Sequence, residues 1–333
     1  MTPGYHYSPP RRRRRGAGVG VVLALGFVAF IFVCGVVATS MTAGESPTPY
    51  AGPSTAPSRP ASSFQPTSAA SPETTSSSEA TSPAGTGSAG GPSGTRAAIA
   101  SPLYRVGPLN GHGCHGRLIA QGVSPSFAAF LNATTDCLDR SWATAFRRSD
   151  MEFQPPTRVF WTTPGRSPCG EYPAPGAAAF YCPSNHAMYI GVEHAQDAAG
   201  GLPVRYNVAY AREVAHEYGH HVQNEAGILD YGQEARMAAG SIEERNAVTR
   251  RSELQAQCLA GTFMSAVRFT FPVTLQQWQI ALRDSYGRGD DPGRPDARDH
   301  GSRRHYATWL NFAYKRGPVS SCNTWAASPS LVS

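Results

Sequence analysis

The chain has 333 residues, 16% of them charged, and a net charge of +6. Five of those six net charges are Arg11–Arg15, within a first forty residues that hold no acid, so everything after them is close to neutral. A nucleic-acid reading needs basicity on a folded surface and is excluded. A multidomain soluble enzyme is excluded as well, leaving an anchored chain with one modest globular unit.

Residues 1–15 read as a basic cytoplasmic N-terminus, followed by a transmembrane helix over 16–40. No charge interrupts Gly16 to Met41, and Val21 to Val37 is almost continuously apolar. About 20 apolar residues span the hydrocarbon core of a bilayer. Arginines immediately before such a span stay in the cytoplasm, which places the chain in the cell membrane as a single-pass protein with its bulk on the extracytoplasmic side. The competing reading is a cleaved signal peptide, with Ala38-Thr39-Ser40 as a cleavage site. The apolar run is longer than the roughly 7–15 residues of a signal peptide, which favours the anchor.

Residues 41–100 read as a disordered linker. Between 51 and 95, Ser, Thr, Pro, Ala and Gly fill 40 of 45 positions, too little apolar surface to offset the entropy of ordering. The globular domain is then 101–333, long enough for one substantial core.

Within that domain Ser124 to Arg148 has helical spacing, with Phe127, Phe130, Leu131, Leu138, Trp142 and Phe146 on the apolar side. Arg158–Thr162 and Ala187–Val192 read as strands separated by a Pro/Gly/Cys loop. A long helix opens at Pro203, with Val204, Val208, Ala211, Ala215, Tyr218 and Val222 on one face. Ser241 and Glu244 form a capping-box pattern that starts a second long helix reaching about Phe269. Shorter helices are expected at 274–285 and 299–316. The fold class is α+β, helix-rich, with a small sheet.

Six cysteines lie beyond the apolar segment. An even count in an oxidising compartment predicts three disulfides, and proximity along the chain pairs Cys114–Cys137 and Cys169–Cys182, leaving Cys258–Cys322. Zinc ligation by cysteine is the weaker reading, because no close C-x-x-C pair exists.

The strongest chemical signal is His216-Glu217-Tyr218-Gly219-His220. Histidines at i and i+4 project from one helical face and can converge on one Zn²⁺. Glu217 beside them can take a proton from the attacking water and deliver it to the leaving amine. A third ligand is needed. The metzincin pattern requires a histidine six residues beyond His220, where Ala226 stands, and a glycine where Gln223 stands, so that class is excluded. A glutamate on a following helix is the other common solution. Glu253, 33 residues after His220, shares a helix face with Ala256, Gln257 and Ala260, whose small members permit close approach to the first helix. Glu213 reads as a surface or supporting contact and His221 as a packed side chain.

The segments HEYGHHVQ (216–223), SELQAQCLAG (252–261) and HGSRRHYATWLNFAYKRG (300–317), with Tyr181-Cys182-Pro183 and Cys322-Asn323-Thr324, resemble the bacterial neutral zinc metallopeptidase family over about 104–325. The resemblance implies a zincin-like domain of gluzincin type that hydrolyses peptide bonds. It implies His216, His220 and Glu253 as zinc ligands and Glu217 as the catalytic acid/base. The chain departs from the family at Gln257, where an aspartate is usual, and at Tyr218, where a smaller aliphatic residue is usual. Gln257 offers a carbonyl that can still orient a ligand imidazole, without the charge. For the residue that stabilises the developing oxyanion, His300, His305 and Tyr306 are the candidates, with His300 preferred. By analogy with zinc peptidases in general, the strand Ala187–Val192 is expected beside the zinc helix, pairing with extended substrate.

Two functions follow: a membrane-anchored zinc metallopeptidase acting on a protein or peptide substrate, or a zinc-stabilised module that binds envelope proteins or cell wall with little catalysis. Intact Glu217 favours the first and Gln257 leans to the second. Nothing in the sequence sets an oligomeric state.

Overall fold

The computed structural model describes residues 91–120, 124–173, 178–192, 207–271, 273–290 and 298–333. The arginine run, the apolar segment 16–40 and most of the linker lie outside these residues, as does Pro203. Among the described residues no helix is long and apolar enough to cross a membrane.

Seven α-helices are described: α1 (Gly94–Ala100), α2 (Ser124–Arg148), α3 (Asn207–Glu225), α4 (Ile228–Ala238), α5 (Ile242–Val267), α6 (Leu275–Arg288) and α7 (Arg303–Arg316). The helix expected from Ser124 to Arg148 and the capped helix starting after Ser241 stand as read. Glu244 N–H donates to Ser241 Oγ at 3.1 Å, and Ser241 N–H donates back to Glu244 Oε2 at 3.2 Å. Ordered structure begins before residue 101. The small side chains of Ala97 and Ala98 in α1 are fully buried, and α1 packs on α4. A second difference is α4 itself, which lies between the two long helices where the sequence predicts no element. Its few apolar residues and central Gly232 weaken a helical signal. A Cβ on Gly232 would come within 3.3 Å of the Trp325 ring, so the glycine allows a close approach there.

Strands β1 (Thr157–Trp161), β4 (Ala179–Cys182) and β5 (Ala187–Gly191) make a sheet of order β1-β5-β4, with β2 (Gly165–Ser167) and β3 (Gly170–Tyr172) in a separate hairpin. The middle strand β5 runs parallel to β1 and antiparallel to β4. This corrects the expectation for Ala187–Val192: both edges of that strand are already paired, so it cannot receive a substrate chain. Its unbroken burial is what a central strand requires. Among the described residues the outer strands are β1 and β4, and β4 is four residues inside the stretch read as loop.

Helix α3 buries its expected stripe, Val208, Ala211, Ala215, Tyr218 and Val222. The phenol of Tyr218 donates to Asp139 Oδ1 at 2.6 Å, and Asp139 pairs with Arg158 of β1, so the large residue ties α3 to α2 and the sheet. On another side α3 meets α5 backbone to backbone. A Cβ on Gly219 would lie 2.9 Å from the Ala256 Cα and carbonyl oxygen, so only glycine permits this approach. Below the same turn, Arg212 of α3 pairs with Glu213 and with Asp284 of α6, while Arg288 contacts Glu213 at 3.1 Å and Asp284 at 3.0 Å. Two cations and two anions thus alternate in a nearly dry cluster. Glu213 is a member of it rather than a surface residue. Burial alone would raise its carboxyl, but Arg288 and Arg212 hold it at about 2.

Two of the three expected disulfides are formed. Cys169–Cys182 fastens the hairpin to the end of β4, and Cys258–Cys322 fastens α5 to the C-terminal segment. Cys114 and Cys137 are instead buried free thiols. The Arg140 guanidinium lies 3.8 Å from the Cys114 sulfur and 3.2 Å from that of Cys137.

Candidate metal centre

His216 and His220, one helical turn apart on α3, hold their rings edge to face with centroids 4.9 Å apart. Opposite them α5 presents Glu253, brought close by the Gly219–Ala256 contact. Glu253 Oε2 is 3.2 Å from His216 Nε2, and Oε1 is 3.4 Å from His220 Nε2. The three residues therefore offer two nitrogens and a carboxylate oxygen within 4.8 Å of one another, a donor set able to hold a metal ion. That set, His₂Glu, suits zinc. Burial pushes the Glu253 carboxyl up, but the His220 charge and hydrogen bonds from both imidazoles hold it well below the usual carboxylate range.

The other imidazole nitrogens are spoken for. His216 Nδ1 lies 3.1 Å from Gln257 Oε1, and His220 Nδ1 lies 3.0 Å from Gln223 Oε1. Each Nδ1 contact leaves the corresponding Nε2 facing Glu253. Gln257 thus makes the contact expected of it. The part played by Gln223 was not read from the sequence, although an acceptor three residues after a histidine lies on the same helical face.

Glu217 lies between the histidines in sequence and on the wall of a cleft of about 1630 Å³ that also takes in His216, His220, Glu253 and His300. Only 6% of Glu217 is exposed. Burial dominates its surroundings and raises its carboxyl to about 8.

Of the three residues considered for the oxyanion, His300 alone lines the cleft. Its Nε2 is 4.0 Å from Glu253 Oε2, and its Nδ1 is 2.7 Å from Asp299 Oδ1. Burial works against its charge, but the Asp299 hydrogen bond and the nearby carboxylates outweigh this and raise it to about 9. Tyr306 is buried behind His216, its hydroxyl 3.5 Å from both ring nitrogens. His305 is turned to the Ser333 carbonyl. Asp290, Asp299 and His300 form a second group of potential donor atoms within 4.8 Å of one another.

One wall of the cleft is β4, through Ala179, Phe180 and Tyr181. Gly191 N–H donates to the Ala178 carbonyl at 2.9 Å, so by antiparallel alternation Phe180 and Cys182 also bond to β5. Ala179 and Tyr181 direct their backbone groups to the free edge. His221, buried on α3 as a packed side chain, holds this wall in place. Its Nε2 donates to the Gln154 carbonyl at 2.7 Å, leaving Nδ1 to accept from the Tyr181 hydroxyl at 3.1 Å. Glu225 closes the same side through His186 at 3.1 Å and the Gln154 N–H at 3.2 Å.

The chain is 28% identical over 210 residues to the uncharacterized protein YpfJ of Escherichia coli (strain K12), covering 61% of this chain and 71% of YpfJ. It is 33% identical over 175 residues to the uncharacterized protein Mb2605 of Mycobacterium bovis, covering 45% of this chain and 55% of that protein. No solved structure matches. Residues 117–325, which contain the histidine pair, Glu253 and His300, match the family described as "Putative neutral zinc metallopeptidase", and the chain belongs to that family.

Proposed function

We propose that this protein is a zinc-dependent peptidase, anchored in the cell membrane by the apolar segment 16–40 with its catalytic domain on the extracytoplasmic side. The observation that carries the chemistry is the convergence of His216, His220 and Glu253 beside a buried glutamate on the wall of an open cleft. The arginine run before the apolar segment supports the anchor, and the two disulfides support an oxidising compartment.

In this reading His216, His220 and Glu253 hold Zn²⁺, which supplies Lewis acidity to polarise the scissile carbonyl and to make water nucleophilic near neutral pH. An extended peptide pairs with the free edge of β4 through the backbone of Ala179 and Tyr181. Glu217, as the carboxylate, accepts the proton of the attacking water and passes it to the leaving amine, and burial raises its affinity for that proton. His300, held by Asp299, donates from Nε2 to the oxygen on which negative charge develops.

The test is digestion of a peptide library by the full chain in detergent, before and after chelation and after zinc is restored. Cleavage should disappear on chelation and return with zinc. Stoichiometric zinc without any cleavage would refute the peptidase and leave the zinc-stabilised binding module.

A further inference from the structure

Three glutamines, Gln223, Gln255 and Gln257, are fully buried around the metal centre. A carboxamide looks the same to either neighbour when turned over, so its polarity must be dictated by groups that can only donate or only accept. For Gln255 both kinds are present. The Trp325 indole N–H, a donor only, lies 3.1 Å from Gln255 Oε1, and the Cys322 carbonyl, an acceptor only, lies 3.0 Å from Gln255 Nε2. Gln255 Nε2 also donates to the Tyr104 hydroxyl at 2.7 Å, which in turn donates to the Ala98 carbonyl at 2.7 Å. Gln255 therefore has a single permitted orientation.

That orientation is handed on. Gln255 Oε1 accepts from Gln223 Nε2 at 3.0 Å, and the Ser252 carbonyl accepts from the same nitrogen at 2.8 Å. With its nitrogen committed to two acceptors, Gln223 has only its oxygen left to face His220 Nδ1 at 3.0 Å. His220 must then donate from Nδ1, which leaves Nε2, the nitrogen facing Glu253, as the atom to bind a metal. On His216 the same result is reached separately. Ser285 donates to the Ala281 carbonyl at 2.8 Å and accepts from Gln257 Nε2 at 3.0 Å, which turns Gln257 Oε1 to His216 Nδ1.

We infer that Gln223, Gln255 and Trp325 act as a relay of positioning residues that fixes the ring orientation and proton placement of His220 from the C-terminal segment, over 100 residues away in sequence. The inference rests on the proposed role of His220 as a zinc ligand. The relay also gives a purpose to the Cys258–Cys322 disulfide, which pins the Cys322 carbonyl against α5 where Gln255 needs its acceptor.

The test is a double-mutant cycle on the full chain, reading the zinc dissociation constant by competition with a chromophoric chelator. Gln223→Met removes the acceptor for His220 and should weaken zinc binding about 10- to 100-fold, the usual effect of losing a ligand's hydrogen-bond partner. Trp325→Phe keeps an aromatic ring but loses the pyrrole ring with its N–H, so that Gln255 Oε1 loses its donor and is held only through the contacts of Nε2; it should weaken zinc by a smaller factor, about fivefold. In the Gln223→Met background the Trp325→Phe loss should vanish, because the relay is already cut. A purely structural tryptophan would lower affinity by the same factor in both backgrounds. That outcome, or no change from Trp325→Phe in the wild-type chain, overturns the inference. Should Gln223→Met fail to fold, Gln255→Met cuts the same relay and takes its place in the cycle. Failure of the wild-type chain to bind zinc at all would instead refute the metal site, and the relay with it.

Discussion

Glu217→Gln is expected to lower kcat for peptide cleavage about 1000-fold, since proton transfer by a positioned side chain commonly contributes 10²–10⁴. That corresponds to about 4 kcal/mol of transition-state stabilisation. The amide keeps the size of the carboxyl and its buried place in the cleft but cannot take a proton from water. Zinc content should be unchanged, because the proposed ligands His216, His220 and Glu253 are untouched. Single-turnover rates measured beside metal content check this. A rate reduced less than about tenfold would assign proton transfer to another group and remove Glu217 from the mechanism.

Arg212→Met should cost about 3–5 kcal/mol of folding stability, the loss typical of removing one partner from a buried ionic cluster. Arg212 is 1% exposed. Its guanidinium lies against Glu213 and Asp284, and only Arg288 would remain to face those two carboxylates. The cluster joins α3 to α6 one turn from His216, so zinc affinity should fall along with stability. Chemical unfolding of the zinc-free protein measures the first effect. A loss under about 1 kcal/mol would mean that water already solvates these charges.

Some of the architecture is legible from sequence because its causes are local. The apolar spacing of α2, the stripe of α3 and the Ser241 capping box need only neighbours three or four residues away. The histidine pair is legible for the same reason. Glu253 could be reached because small residues on its helix face announce a close helix contact, realised at Gly219 and Ala256. The edge strand β4 was not legible. Its four residues lie among prolines, glycines and cysteines, and its role depends on β5 taking the middle of the sheet. The apolar run of β5 does carry the signal of a strand buried on both faces, which is the mark of a central position. The orientation of His220 was likewise hidden, because it depends on Trp325 and Cys322, which only the fold brings to Gln255. The expected Cys114–Cys137 disulfide rests on proximity in sequence alone. Both thiols are buried beside the Arg140 guanidinium and no disulfide joins them.

Anomalous diffraction at the zinc edge from crystals of zinc-loaded protein tests the metal centre most directly. The donor set places a single strong peak about 2.0–2.2 Å from His216 Nε2, His220 Nε2 and a Glu253 carboxylate oxygen. A peak held by Asp290, Asp299 and His300, with none between the two α3 histidines, would contradict the assignment.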